Sequence, residues 1–305
     1  MASHIAADHI PANDVPANQP NRGSILKSVL IFSSLVAISV ALWWAALVSL
    51  FTLALRDEQY THILLILPIS ACFIFLEWKS PASQSRSSAA AGSVLLLAAV
   101  LARHFVKVLS SADVQLALTI LALLAWWVGA FILCFGMRAF RRALFPLCFL
   151  LWMVPLPQSV LNLIVAQLQQ GSAASARVFF AVAGIPVEQR GTLVHIRGLT
   201  LEVAPECSSI RSSMVLLVTT MALAQFLLIT FWRKAVVFAV AIPLSVIKNG
   251  LRIFVLGVLA TKVDPSYLTG RLHRQGGIIY FLIALLGIFP LLWILRRGEN
   301  QNPRQ

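Results

Sequence analysis

The sequence predicts an all-α polytopic membrane protein of about eight transmembrane helices, with a small external hairpin and an amphipathic segment before the sixth span. Three observations lead there. Of 305 residues, 59% are hydrophobic and 11% are charged, whereas a soluble domain carries about 25% charged residues. Mean hydropathy is +0.86. The apolar residues come in serial runs near the ~20 residues needed to cross a bilayer. Length alone would permit two soluble domains, but serial runs of this kind read as one membrane domain.

Residues 1–24 are polar, with Pro11, Pro16 and Pro20, and read as a disordered cytoplasmic tail rather than a signal peptide. Residues 25–297 form a single integral-membrane domain, and 298–305 a cytoplasmic C-terminal tail. The expected spans are Ser28–Leu55, Thr61–Trp78, Ala89–Val108, Val114–Met137, Ala143–Pro157, Ser208–Phe231, Ala235–Ala260 and Gly276–Leu295. The fifth is short and bounded by Pro155 and Pro157, so a half-helix that enters and leaves on one side is also open, provided protein covers its ends.

Charge sets the orientation. Arg138, Arg141 and Arg142, then Arg233 and Lys234, then Arg296 and Arg297 cluster in short loops, which places both termini in the cytoplasm. The formal charge of +13 does not argue for nucleic acid, because most Lys and Arg flank apolar runs and suit a phospholipid bilayer.

Between spans five and six lies a long external segment. Leu161, Ile164, Val165 and Leu168, then Ala176, Val178 and Phe179, follow the spacing of an amphipathic helix across Gln158–Gly184 that lies along the outer surface. Thr192–Ile196 and Thr200–Val203 alternate at period two around Gly198, as a small hairpin does, and carry the chain back toward residue 207.

Cys72, Cys134 and Cys148 lie inside apolar stretches and read as small membrane-buried side chains. Cys207 differs. It sits in Glu206-Cys207-Ser208-Ser209-Ile210-Arg211-Ser212, where a polar segment runs into an apolar one. A thiol at the outer mouth of a helix, near the positive end of its dipole and a cation, is biased toward the nucleophilic thiolate. Ser208 and Ser209 can cap the helix, and Arg211 shares a face with Cys207.

Two later segments bring complementary groups to the same depth. Arg252 lies about eighteen residues into the seventh span, roughly 27 Å from its inner end. Asn249 and the deeper Lys248 share its face. Ionisable residues at such depth are expensive and point to function, although an arginine near a helix end can also snorkel to the surface. His273 precedes the last span, and Gly276 and Gly277 permit close helix packing below it. A thiolate attacks, an imidazole moves protons, and a guanidinium stabilises developing negative charge. The turn Arg56-Asp57-Glu58-Gln59-Tyr60-Thr61-His62 is a second polar cluster on that side, with Asp57 and His62 as supporting or substrate-binding candidates. No HExxH, GxSxG, Walker loop or CxxC spacing occurs, so no metal or cofactor is expected.

At these residues the chain resembles the exosortase/archaeosortase family of membrane cysteine transpeptidases, over roughly residues 50 to 285. The motifs are Asp57–His62, Phe145-Pro146-Leu147 followed by Val154-Pro155-Leu156-Pro157, Gly184-Ile185-Pro186-Val187, Leu201–Ala204 leading into Cys207-Ser208, Asn249-Gly250-Leu251-Arg252, and His273 before Gly276. The resemblance implies a bacterial inner-membrane enzyme with its site on the periplasmic side. Its partners would be membrane-anchored proteins with a C-terminal tripartite tag: a Pro-Glu-Pro-type motif, a membrane helix and a basic tail. The acyl group would pass to water or to an acceptor such as a lipid or exopolysaccharide. Cys207 would be the nucleophile, Arg252 its electrostatic partner and His273 the proton-transfer residue. Ser209 departs from the glycine common in the family, which bears on substrate choice. The rival readings are a multi-pass transporter with a charged vestibule, or an envelope-polymer export or assembly factor without thiol chemistry.

Overall fold

A computed structural model describes residues 22–77, 86–196, 198–203, 210–268 and 276–301. It is an all-α polytopic architecture, with seven helices long and apolar enough to cross a membrane, or eight if one bent pair counts as a span. The helices are α1 (Arg22–Leu42), α2 (Trp44–Arg56), α3 (Ile63–Glu77), α4 (Arg86–Val106), α5 (Ala112–Arg142), α6 (Leu144–Phe149), α7 (Gln158–Val182), α8 (Ile210–Leu227), α9 (Phe231–Lys262) and α10 (Gly277–Gln301). Strands β1 (Val187–Arg190), β2 (Leu193–Ile196) and β3 (Leu199–Glu202) lie between α7 and α8. Large apolar side chains such as Leu30, Leu97, Ile247 and Leu286 remain exposed on outer helix faces, as they do where the solvent is lipid.

The first expected span is two helices. They meet at Trp43, which is buried, and the hydrogen-bond ladder continues through it: Trp43 N–H donates to Ser39 O at 2.8 Å and Leu47 N–H to Trp43 O at 2.9 Å. The α1 helix is tied to α5 by two indoles: Trp126 Nε1 donates to Leu35 O at 3.0 Å and Trp127 Nε1 to Ser39 Oγ at 2.9 Å. The α4–α5 pair is held closer than side chains allow. A Cβ on Gly92 would come within 2.7 Å of Leu133 N, and one on Gly129 within 3.0 Å of Gly92 O. Near its end α5 is interrupted at Gly136, whose φ of 83° only glycine adopts readily.

The fifth span resolves into α6, a 3-10 turn at Leu150–Met153 and an extended run to Pro157, with α7 leaving at 94°. Six α-helical, four 3-10 and four extended residues cover about 30 Å, the thickness of a hydrocarbon core. The run starts at the C-terminal end of α5, and Gln158 N–H donates to Asp113 Oδ2 in the first turn of α5 at 2.8 Å. It therefore returns to the opposite end of α5 instead of looping back to the end it left.

The amphipathic helix is present as α7, and its small-residue face packs lengthwise on α9. A Cβ on Gly250 would meet Ser175 Cβ at 2.4 Å and Ala176 N at 2.9 Å, while Gly171 and Gly257 face Val246 and Phe180. Close approach of this kind is what small residues supply between helices in lipid. The hairpin is present too, extended by β1 into an antiparallel meander of order β1-β2-β3, with Val194 opposite Leu201 and Val187 opposite Ile196. Val194, Leu201 and Val203 pack with Ala173, Ala176 and Phe180 of α7 and Ile253 of α9.

At the other end, α8, α9 and α10 share a core of Leu216, Val237, Ala241, Ala284 and Ile288. Glu299 of α10 accepts from the backbone N–H of Ile229 (3.0 Å) and Thr230 (2.7 Å), which open α9, and lies 3.9 Å from Arg233. Arg233 Nη1 donates in turn to Leu295 O at 2.7 Å. Both charged side chains are nearly buried, at 12% and 8% exposed. A carboxylate at a helix N-terminus also meets the positive end of the dipole. Gly250→Ala is expected to destabilise the α7–α9 contact by about 1–3 kcal/mol, the cost of overpacking, read as a lower melting temperature in detergent.

Candidate functional site

Ser245, Lys248, Asn249, Arg252 and Leu256 of α9 recur at helical spacing and are all buried, so they form one inward stripe. Arg252 is 7% exposed and Lys248 4%. Arg252 therefore does not snorkel to the surface. Its Nη1 lies 4.0 Å from where a Cβ on Gly277 would stand, so the start of α10 lies beside the guanidinium. Tyr280, buried one turn further along α10, interacts electrostatically with Arg252. Lys248 Nζ donates to Ser212 Oγ in the first turn of α8.

The polar turn before α3 reaches the same place. Glu58 Oε2 pairs with Arg211 Nη1 at 3.2 Å, joining the turn to the start of α8. Asp57 caps the turn by accepting from Gln59 N–H at 2.9 Å. His62 is buried, with Nδ1 3.2 Å from Gln59 O and its ring edge-on to Trp152. Tyr60 OH donates to Leu156 O at 3.0 Å, which fixes the turn against the proline run before α7. Asp57 and His62 thus shape the turn, and Glu58 is its outward-reaching group. On the far side, Gln169 Nε2 donates to Val203 O at 2.7 Å and anchors the chain where it leaves β3.

Of the sequence-derived candidates, Arg252, Asn249, Arg211, Asp57 and His62 are described. The first two share the buried stripe, and the other three belong to the mouth around Glu58. Glu206, Cys207, Ser208, Ser209 and His273 lie outside the described residues. Of the three cysteines in apolar stretches, Cys134 on α5 is enclosed by protein, whereas Cys72 on α3 and Cys148 on α6 are exposed on their helices. Sequence reasoning missed Ser212 as the partner of Lys248 and Glu58 as the partner of Arg211. A buried lysine demands a polar acceptor at its own depth, and that rule points to Ser212. Nothing in the sequence couples Glu58 to Arg211. Among the described residues, no three His, Cys, Asp or Glu side chains converge as metal ligands would.

Fold and stripe together define a multi-pass membrane protein with buried intramembrane charge. A family model described as transmembrane exosortase matches residues 43–290, and the chain belongs to that family. Comparison with curated proteins and with solved structures gives no significant match.

The Glu58–Arg211 pair is half to mostly exposed, at 80% and 52%, and such pairs contribute about 0–1 kcal/mol. Glu58→Gln and Arg211→Gln should leave thermal stability nearly unchanged. Tyr60→Phe, which strips the part-buried Leu156 carbonyl of this donor, should cost about 1 kcal/mol. Thermal melts of the three variants in one detergent check the ranking.

Proposed function

We propose that the protein is a membrane-embedded cysteine peptidase or transpeptidase that cleaves C-terminal sorting tags of membrane-anchored secreted proteins, with Cys207 as nucleophile. One observation supports it above the rest. Ser212, five residues past Cys207, contacts Lys248, and Gly277, four residues past His273, lies against Arg252. The segments flanking the thiol and the imidazole therefore both meet the buried cation stripe. A chain of three residues reaches at most about 11 Å, and three steps separate Cys207 from Ile210 and His273 from Gly276.

In this reading the Cys207 thiolate adds to the scissile carbonyl, and Arg252 stabilises the oxyanion of the tetrahedral intermediate. Collapse breaks the C–N bond. His273 protonates the departing amine, leaving an acyl-thioester on Cys207. His273 then takes the proton of water, an amine or a hydroxyl as that acceptor attacks the thioester, and the thiolate leaves. Because substrate and enzyme share one bilayer, the scissile bond is held at a fixed height, which raises its effective concentration at the thiol. The Glu58–Arg211 mouth and Asn249 support the site. We place it at the periplasmic face of a bacterial inner membrane, with both termini cytoplasmic, because the basic clusters at 138–142, 233–234 and 296–297 all fall at the opposite end of the bundle.

Cys207→Ala should abolish processing of a co-expressed tagged protein, while Cys72→Ala, Cys134→Ala and Cys148→Ala retain it. Arg252→Lys should lose about a hundredfold or more, because a point charge replaces a planar multi-donor fork, and Arg252→Ala should be worse. Full processing by Cys207→Ala, read as a gel shift of the tagged protein, would refute the thiol mechanism. Orientation is checked separately. An impermeant thiol reagent added to spheroplasts should label single cysteines introduced at Thr200 or Thr269 and spare those at Arg141 or Arg233.

A further inference from the structure

The thiol mechanism gives no task to the contact between Lys248 and Ser212. Lys248 is 4% exposed within the spanning part of α9, and its Nζ is in hydrogen-bond contact with Ser212 Oγ. Ser212 is half-buried in the first turn of α8, one residue inside the exposed Arg211. Holding α8 against α9 does not need a lysine, because a neutral amide would make the same hydrogen bond to a hydroxyl. Placing a primary amine inside a membrane helix is costly. What an amine supplies and an amide lacks is a nitrogen that can take up and release a proton.

The groups around the pair leave that proton chemistry open. Among the described residues no carboxylate pairs with Lys248: the ion pairs are Arg190–Glu188, Arg211–Glu58 and Arg233–Glu299. On its own helix, Arg252 stands one turn along the same face and acts on Lys248 electrostatically. From α10, Tyr280 interacts with Arg252. In the turn before α3, Glu58 is engaged by Arg211, and His62 Nδ1 by Gln59 O. The α7 helix brings only Ser175 and Ala176 against Gly250, two residues from Lys248. A buried ammonium is ordinarily balanced by a carboxylate. A serine hydroxyl beside an amine is instead the arrangement in which lysine activates serine, as in the Ser–Lys variants of the hydrolytic triad.

We propose that Ser212 and Lys248 form a serine–lysine dyad, a second nucleophilic site that takes the acyl group of a membrane-resident ester and does not require the thiol. With Nζ uncharged, the contact between them runs from the hydroxyl to the amine. As Oγ adds to the ester carbonyl, its proton passes to Nζ, and the positive field of Arg252 favours the oxyanion that forms. The C–O bond of the tetrahedral intermediate then breaks, Nζ returns the proton to the departing alcohol, and an ester on Ser212 remains. Water adds to that ester while Nζ takes its proton, and Nζ gives the proton to Oγ as the carboxylic acid leaves. The position of Ser212 selects the substrate class. It lies inside the apolar span that begins at Ile210, where an uncharged ester on an apolar chain enters at little cost and a charged, water-soluble substrate does not.

The test uses the full chain with its four cysteines replaced by alanine, in lipid nanodiscs, and an alkyl fluorophosphonate, which releases fluoride when an activated serine attacks its phosphorus. Peptide mass mapping of this parent should find the adduct on Ser212. Ser212→Ala should remove that adduct, and Ser213→Ala should keep it. Lys248→Gln, which preserves a hydrogen-bond donor, should slow labelling about a hundredfold. Lys248→Arg should not restore it, because a guanidinium gives up no proton in this range. A packing or field role would be restored by one of the two. The parent rate should rise with pH as the amine loses its proton, and Lys248→Gln should lose that rise. No adduct on Ser212 in the parent, a pH-independent parent rate, or a parental rate in Lys248→Gln overturns the proposal. Should Lys248→Gln fail to reach the membrane, a parental rate in Lys248→Arg overturns it instead. Because this chain has no thiol, labelling of Ser212 stands or falls separately from tag processing by Cys207.

Discussion

Two basic side chains buried on one face of α9 are the constraint that the rest of this bundle serves. A charged side chain in a membrane helix costs free energy, up to about 2.5–3.5 kcal/mol at the centre on insertion scales, and neither Lys248 nor Arg252 escapes to the surface. They are tolerable only if protein encloses them and brings polar atoms. The enclosure is visible residue by residue. Gly250 lets α7 close on α9, the start of α10 at Gly277 lies beside the guanidinium, and Ser212 accepts from Lys248 Nζ. A side chain at Gly250 would separate α7 from the helix that carries both basic groups.

The bundle is fixed differently at its two ends. Away from the stripe, Glu299 and Arg233 clamp the α8–α9 turn to the end of α10 through nearly buried charge-assisted bonds. At the stripe and around it, segments distant in sequence meet through polar side chains: Glu58 to Arg211, Ser212 to Lys248, Gln169 to Val203. A rigid end holds helix register, and the other end presents polar groups from several segments. For the proposed function that division matters, since a substrate would have to reach the site while its basic groups stay shielded from lipid.

The α7 helix and the three-stranded sheet connect the proline run to α8. Their apolar faces pack on α9 around Phe180, Leu201 and Ile253. The sheet thus extends the enclosure of the stripe and delivers the chain, through Val203, to the segment holding Cys207. Arrival at that segment is set by Gln169 on α7, so the same helix that packs on the cations also anchors the approach to the candidate nucleophile.

The sequence by itself determined the class of architecture, because apolar runs of membrane length and a charge-poor composition leave few alternatives. It also marked Lys248, Asn249 and Arg252 as anomalies, since ionisable and amide groups inside an apolar run are visible without coordinates. Strands β2 and β3 and the helix at 158–182 were legible from periodicity, a local property. The tertiary structure decided what depends on distant partners: the break at Trp43, the glycine kink at Gly136, the 94° turn into α7, and the inward direction of the α9 stripe. It also decided that Asp57 and His62 organise a turn while Glu58 meets Arg211. Hydropathy reports the cost of placing a residue in lipid, whereas a contact between two segments depends on the packing of every helix between them.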